Sequence, residues 1–153
     1  MPFTGYFLRR QHLRRKQLWY EGETDAKTDV VIVCDGVKLP VHSGVLSAES
    51  PHFRQWLQAA RRENNSLEMH VDDSNIHTVW RTLELVYLRS YTTEKCPKAA
   101  IEDDQIELLR HAHVYQLAKS WGLSKELQGV AYVNCQRELD AMQTSSDLLK
   151  SSI

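Results

Sequence analysis

The clearest pattern of apolar positions along the chain is "DVVIVCDG", Asp29 to Gly36. Five successive apolar or sulfur side chains, mostly β-branched and closed by Asp-Gly, predict a buried strand ending in a tight turn. "VKLPVH" follows as the return strand, with Val37, Leu39 and Val41 on one face. Pro40 cannot donate to a ladder, so it must sit where its missing N–H is not needed. Ser43 is expected to cap a short helix that ends near Glu49. Ser50-Pro51 then restarts the chain, with serine at an N-cap and proline at the first helical position. Phe53, Trp56, Leu57 and Ala60 fall at i, i+3, i+4 and i+7 of that second helix, one apolar face. "ARRENN" is a polar break, and "SLEMHV" alternates Leu67, Met69 and Val71 against Glu68 and His70, a half-buried strand.

"DDS", residues 72–74, is expected to cap a helix whose stripe is Ile76, Val79, Trp80, Leu83, Val86 and Tyr87. Residues 90–104 predict a loop containing a short edge strand. A long helix follows from about Asp104 to Trp121, with Asp103 and Asp104 at its N-terminus and Gly122 as its stop. Ser124 caps the last helix, in which Leu127, Ala131, Cys135 and Leu139 repeat every four residues. The body is thus expected over 28–140 and a frayed polar tail over 141–153, Ser-rich from Thr144. Residues 1–27 form a basic leader with a predicted helix around Leu8–Tyr20. The order of elements is that of an α+β domain, a small sheet packed on a cluster of helical hairpins.

Charge divides the chain more sharply than composition does. Residues 1–20 carry Arg9, Arg10, Arg14, Arg15 and Lys16 and no acid, a charge of +5. Of the 19 bases and 20 acids, 14 bases and 20 acids therefore remain in the rest, or −6. Hydrophobic content of 42% over 153 residues suits one globular domain. No apolar run reaches the roughly 18–20 residues of a membrane span, and arginines interrupt any secretory apolar core after Leu8. Three widely spaced cysteines, Cys34, Cys96 and Cys135, without a CxxC, point to reduced thiols and an intracellular setting.

The candidate chemistry is sparse. His42–Ser43 places a base beside a hydroxyl, but neighbours on an extended chain point to opposite sides, and no G-x-S-x-G elbow exposes a nucleophile. A structural reading makes Ser43 a helix cap and gives His42 a backbone hydrogen bond at the sheet edge. His111 and His113 stand at i, i+2 and face different ways, so they cannot share a metal. No glycine-rich phosphate loop is present. The residues thus point to no catalytic, metal or cofactor site and no enzyme. The leader's Arg9, Arg10, Arg14, Arg15 and Lys16, flanked by aromatics, form a candidate nucleic-acid contact. The favoured reading is a solvated basic helix whose Leu8, Leu13, Leu18 and Trp19 pack on this domain or a partner.

"TDVVIVCDGVKLPVHSGVLSAESPHFRQWL", Thr28 to Leu57, resembles the opening of a BTB/POZ domain, in which Asp, a strand, Asp-Gly, a return strand, His, a Val-Leu helix and Ser-Pro-x-Phe follow in order. The matching positions are Asp29, Asp35, Gly36, His42, Val45, Leu46, Ser50, Pro51 and Phe53. "SLEMHVDD", "VWRTLELVYLRSYT" and "HVYQLAKSWGLSKELQGVA" continue the likeness, the last in a form similar to that of fungal BTB proteins. The resemblance implies a protein–protein interaction module: a homodimer formed through an N-terminal segment, and an adaptor or scaffold, in some members for a cullin ubiquitin ligase. The dimerisation candidates are then Leu8, Leu13, Leu18 and Trp19.

Three positions depart from the family pattern. Cullin-binding members carry a hydrophobic-x-Glu motif that ungapped counting places at Arg61-Arg62-Glu63, so Glu63 is present but Arg61 stands for the apolar anchor. Transcription-factor members pair the counterpart of Asp29 with an arginine. Ser43 follows His42 here, so that ion pair is expected to be missing. The usual Tyr-Thr-Gly falls on Leu88-Arg89-Ser90 or Tyr91-Thr92-Thr93, without glycine. The resulting expectation is a partner-binding domain with no membrane span, with nucleic acid a less favoured partner.

Overall fold

A computed structural model describes residues 28–64 and 66–151, and the leader candidates Leu8, Leu13, Leu18, Trp19, Arg9, Arg10, Arg14, Arg15 and Lys16 lie outside them. The chain forms β1 (Val30–Cys34), β2 (Val37–Val41), α1 (Ser43–Glu49), α2 (Pro51–Arg62), β3 (Glu68–His70), α3 (Ile76–Leu88), α4 (Glu107–Ser120) and α5 (Lys125–Ser151). Asp35 and Gly36 take φ of 51° and 75°. Positive φ at both central residues is the turn that matches the twist of a two-residue hairpin, which explains the Asp-Gly. Cys34 pairs with Val37 across it. β1 is central: β2 runs antiparallel to it on one side and β3 parallel on the other. Pro40 sits on the edge strand β2, as its chemistry requires.

β1 alternates rather than burying every side chain. Val30, Ile32 and Cys34 are buried while Val31 and Val33 are half-buried. The inward side chains of β1 and β2 meet Leu46 of α1, Phe53 and Leu57 of α2, and the apolar side chains of α3 in one core. α3 departs most from its predicted stripe. All 13 of its residues are buried, including His77, Thr78, Arg81, Thr82 and Glu84. A helix buried on every side is a core element, and its polar side chains must find partners within the protein.

Ser50 links the two halves of the fold. Its hydroxyl accepts from the Phe53 N–H at 3.0 Å, capping α2, and donates to the Trp121 carbonyl at 2.5 Å in the α4–α5 turn. Gly122 closes that turn at φ 68°, with the Pro51 ring against it. Ser124 caps α5 as expected, accepting from the Leu127 N–H.

Several sequence expectations are corrected. α3 is capped by Asn75, whose side chain accepts from the Thr78 N–H, and not by residues 72–74. Asp35 takes the Ile76 N–H. α4 starts at Glu107, because Asp103 is spent on a buried ion pair instead of a cap. No strand forms over 90–104, where the Thr93 and Glu94 carbonyls accept from Arg81 in place of a ladder. α5 runs as one helix from Lys125 to Ser151. Its stripe leaves the core after Ala131: Cys135 is half-buried and Leu139 exposed.

Candidate protein-interaction surface

The N-terminal end of the sheet gathers four of the positions that sequence reasoning singles out. Asp29 precedes β1, and its carboxylate accepts from the Ser43 N–H at 2.8 Å and from the Ser43 hydroxyl at 2.5 Å. Ser43 is therefore the first residue of α1 and not its cap. The N-cap position is His42, which makes no side-chain cap bond. Arg61, in the last turn of α2, brings its guanidinium to 3.7 Å from the same carboxylate. The expected absence of an ion pair at Asp29 is thus corrected: an arginine from another element supplies it. Burial pushes the Asp29 carboxyl up, but the two Ser43 bonds and Arg61 outweigh it and hold the group below the usual range. Glu63 is exposed at the C-cap of the same helix.

His42 is occupied elsewhere. Tyr87, near the end of α3, accepts from the His42 N–H at 2.9 Å and lies 2.8 Å from Nδ1. A histidine held by a tyrosine and a serine held by an aspartate do not form a nucleophile–base pair. The hydrogen bond expected between His42 and backbone goes to a side chain instead. Burial pushes the Tyr87 hydroxyl up to about 12, so it stays a neutral donor.

The connection 89–106 is long for an ordered segment without regular structure. Buried polar groups of α3 and α4 hold it. Arg81, fully buried, donates to the Thr93 carbonyl at 2.8 Å and the Glu94 carbonyl at 3.2 Å, and pairs with Asp103. Arg110 donates to the Asp103 carbonyl at 3.0 Å and approaches the Asp103 carboxylate at 3.4 Å. His77 accepts the Cys96 N–H at Nδ1 and faces the Ile101 carbonyl with Nε2, which fixes the Nε2–H tautomer. His111 meets the Tyr91 hydroxyl at 2.7 Å, and Thr93 donates to Glu107. Sequence reasoning missed Arg81 and Asp103. A lone arginine in "VWRTLELVY" was the available signal, and nothing local names its partner.

This pinned segment and the hairpin behind it leave apolar side chains uncovered. Ile101, Ile106 (58% exposed) and Leu109 are exposed just before and in the first turn of α4. Tyr132, Val133, Leu139, Met142, Leu148 and Leu149 (69% exposed) line α5. Apolar side chains grouped in this way mark surfaces for partners. Among the described residues, no His/Cys/Asp/Glu group has metal-binding geometry, and no helix is long and apolar enough to cross a membrane.

The model of the BTB/POZ domain family matches residues 21–127. Over 65 residues the chain is 35% identical to the zebrafish Kelch repeat and BTB domain-containing protein 12, a match that covers 42% of this chain and 10% of that protein. The chain therefore spans a small part of that relative's length. Among solved structures, the BTB domain of zebrafish PATZ1 superposes with a TM-score of 0.57 at 15% identity, covering 89% of this chain and 92% of that one. The BTB domain of human gigaxonin does so with a TM-score of 0.52 at 17% identity, covering 82% and 90%. At such identities the structures speak for the fold alone. The family model takes in more than two thirds of the sequence, and the chain belongs to the BTB/POZ domain family.

Proposed function

We propose that this domain is a self-associating scaffold or adaptor that binds other proteins through apolar side chains its own core leaves open. BTB/POZ domains are protein–protein interaction modules, and the observation that carries the finer reading is the run Leu139, Met142, Leu148 and Leu149. Leu139, Met142 and Leu149 continue the apolar face of α5 beyond the last residue buried by the domain, with Leu148 exposed beside them. A stable pair needs about 800 Å² buried per partner. The leader's Leu8, Leu13, Leu18 and Trp19 are proposed as further apolar contacts in that pair. A reducing, intracellular setting suits the three unpaired thiols, of which Cys34 is pushed up to about 12, first by burial. The likeness to fungal members rests on the 113–131 motif, while the named relatives are from zebrafish and human.

Light scattering across a concentration series is expected to give a dimer, weakened by deletion of residues 1–20. A strict monomer at high micromolar concentration would overturn self-association. An adaptor role for a cullin ubiquitin ligase centres on Arg61 and Glu63. The Arg61 guanidinium is engaged by Asp29, so only its alkyl stem is left to act as an anchor. R61M should therefore strengthen cullin capture and E63A weaken it. Equal capture by wild type and both variants would sink that role. The +5 leader favours a second reading, a nucleic-acid-associated regulator. Its binding should fall steeply with salt and vanish when Arg14, Arg15 and Lys16 become Ala.

A further inference from the structure

A polar cleft of about 310 Å³ opens between the capping segment of α3 and the C-terminal half of α4. Asp73, Ser74, Asn75 and Thr78 line one wall and His113, Gln116, Leu117 and Ser120 the other. The space is about ten times a water molecule's share of liquid volume. Its lining is unlike that of a small-molecule pocket, which is mostly apolar; only Leu117 is apolar here.

The charges and free hydrogen-bonding atoms say what would fit. Thr78, 1% exposed, has a hydroxyl with no hydrogen-bond partner among the described residues. A buried hydroxyl left unpaired is costly, and a ligand group is one way to satisfy it. A helix N-terminus ordinarily favours anions, but here the Ile76 N–H is taken by Asp35 and the Thr78 N–H by Asn75. His113 faces Gln105 Oε1 through Nδ1 at 3.0 Å. No lysine or arginine lines the cleft. The Cys34 thiol donates to the Ser74 carbonyl, so the C-terminal end of β1 abuts the same wall. Asp35, Asp72 and Asp73 all act on that thiol, adding to the effect of burial. The lining carboxylate of Asp73, with Asp72 beside it, and side chains able to accept, with no lysine or arginine among them, suit a guanidinium or ammonium group, whose stem would lie on Leu117.

The chain carries one dense source of such groups, Arg9–Lys16 in the leader. The twelve residues 17–28 between it and Asp29 reach at most about 40 Å when extended. β1, which separates Asp29 from the cleft wall, is about 17 Å long. The tether therefore suffices, and it raises the local concentration of the basic segment to the millimolar range.

We propose that an arginine or lysine of the chain's own Arg9–Lys16 segment seats in the cleft between the α3 cap and α4, so that the leader is docked on its own domain until a stronger contact draws it away. The test uses the full chain, labelled for amide NMR. Replacing Arg9, Arg10, Arg14, Arg15 and Lys16 by Ala should shift the amides of 74–78 and 113–120 at low salt. High salt should move the wild-type signals toward the variant's, and dilution should leave them in place. Asp72 and Asp73 are exposed, so D72N/D73N should fold, which a preserved thermal midpoint checks. It should shift the same amides and add nothing when combined with the leader variant. Cleft amides indifferent to the leader variant would overturn the proposal. So would additive shifts from the two variants, or wild-type shifts lost on dilution, since the last would place the basic segment on a second copy.

Discussion

Replacing Arg81 by methionine should destabilise this domain more than any surface change, and the size of the loss can be worked out in advance. Arg81 and Asp103 have side chains 0% and 5% exposed. Removing one partner of a buried pair costs about 3–5 kcal/mol, because the other charge stays buried. Arg110 stands 3.4 Å from the same carboxylate and keeps part of the compensation, which favours the lower end. R81M also strands the Thr93 and Glu94 carbonyls, each worth about 1–3 kcal/mol when unsatisfied. Arg110 reaches toward the Thr93 carbonyl at 3.4 Å, so the two losses overlap and do not sum. The expected cost is about 4 kcal/mol, a large share of the 5–15 kcal/mol typical of a domain. Urea unfolding should show the midpoint fall at unchanged slope. The double variant R81M/D103L removes both charges, leaves the carbonyls unsatisfied, and leaves Arg110 with Glu107 as its carboxylate partner. It should lose about 1–3 kcal/mol, less than R81M alone. Native-state hydrogen exchange should show the backbone of 93–103 opening first. A loss below about 1 kcal/mol for R81M, or a double variant as unstable as the singles added together, would refute the view that this pair pins the long connection.

Further consequences follow from the same contacts. Burial holds the His111 imidazole below its ordinary 6.5, outweighing Glu107 and Glu138, so the unfolded chain takes up its proton first. Stability should be full above 6.5, fall as pH drops through that value, and level off below the folded-state pKa. H111N should flatten this slope in urea midpoints measured from pH 7.5 to 6; an unchanged slope would assign it elsewhere. Y87F removes the hydroxyl shared by the His42 amide and Nδ1 and should cost about 1–3 kcal/mol in thermal or urea unfolding. Arg89 ends α3 at φ 59° and bridges Glu49 and Glu126 from an exposed position. R89A should lose only about 0.2–1 kcal/mol per bridge, and R89G should recover about 1 kcal/mol through its tolerance of positive φ. Calorimetry ranking R89G below R89A would contradict that.

What could be seen in the sequence was whatever depends on neighbours in the chain. The Asp35-Gly36 turn, the Ser50-Pro51 start, the alternation of 67–71 and the Gly122 stop each express a local backbone requirement, and each appears where expected. Two of the failures share a physical cause: a polar side chain spent on a distant partner instead of a local one. Ser43 and Asp103 both have the chemistry of helix caps, but Ser43 is taken by Asp29, fourteen positions away, and Asp103 by Arg81, twenty-two away. Asp29 was expected to lack its arginine because only the adjacent position was weighed. The fold returns one from the end of α2. Periodicity likewise assigned α3 a single stripe, since a helix can show only which residues prefer burial. That Arg81 and His77 are also enclosed depends on 89–106 folding over them, which in turn depends on those two residues holding its carbonyls and the Cys96 amide. The candidate surface has the same character. Leu139 reads as core by its spacing, yet it is exposed, because among the described residues nothing extends far enough along α5 to cover it.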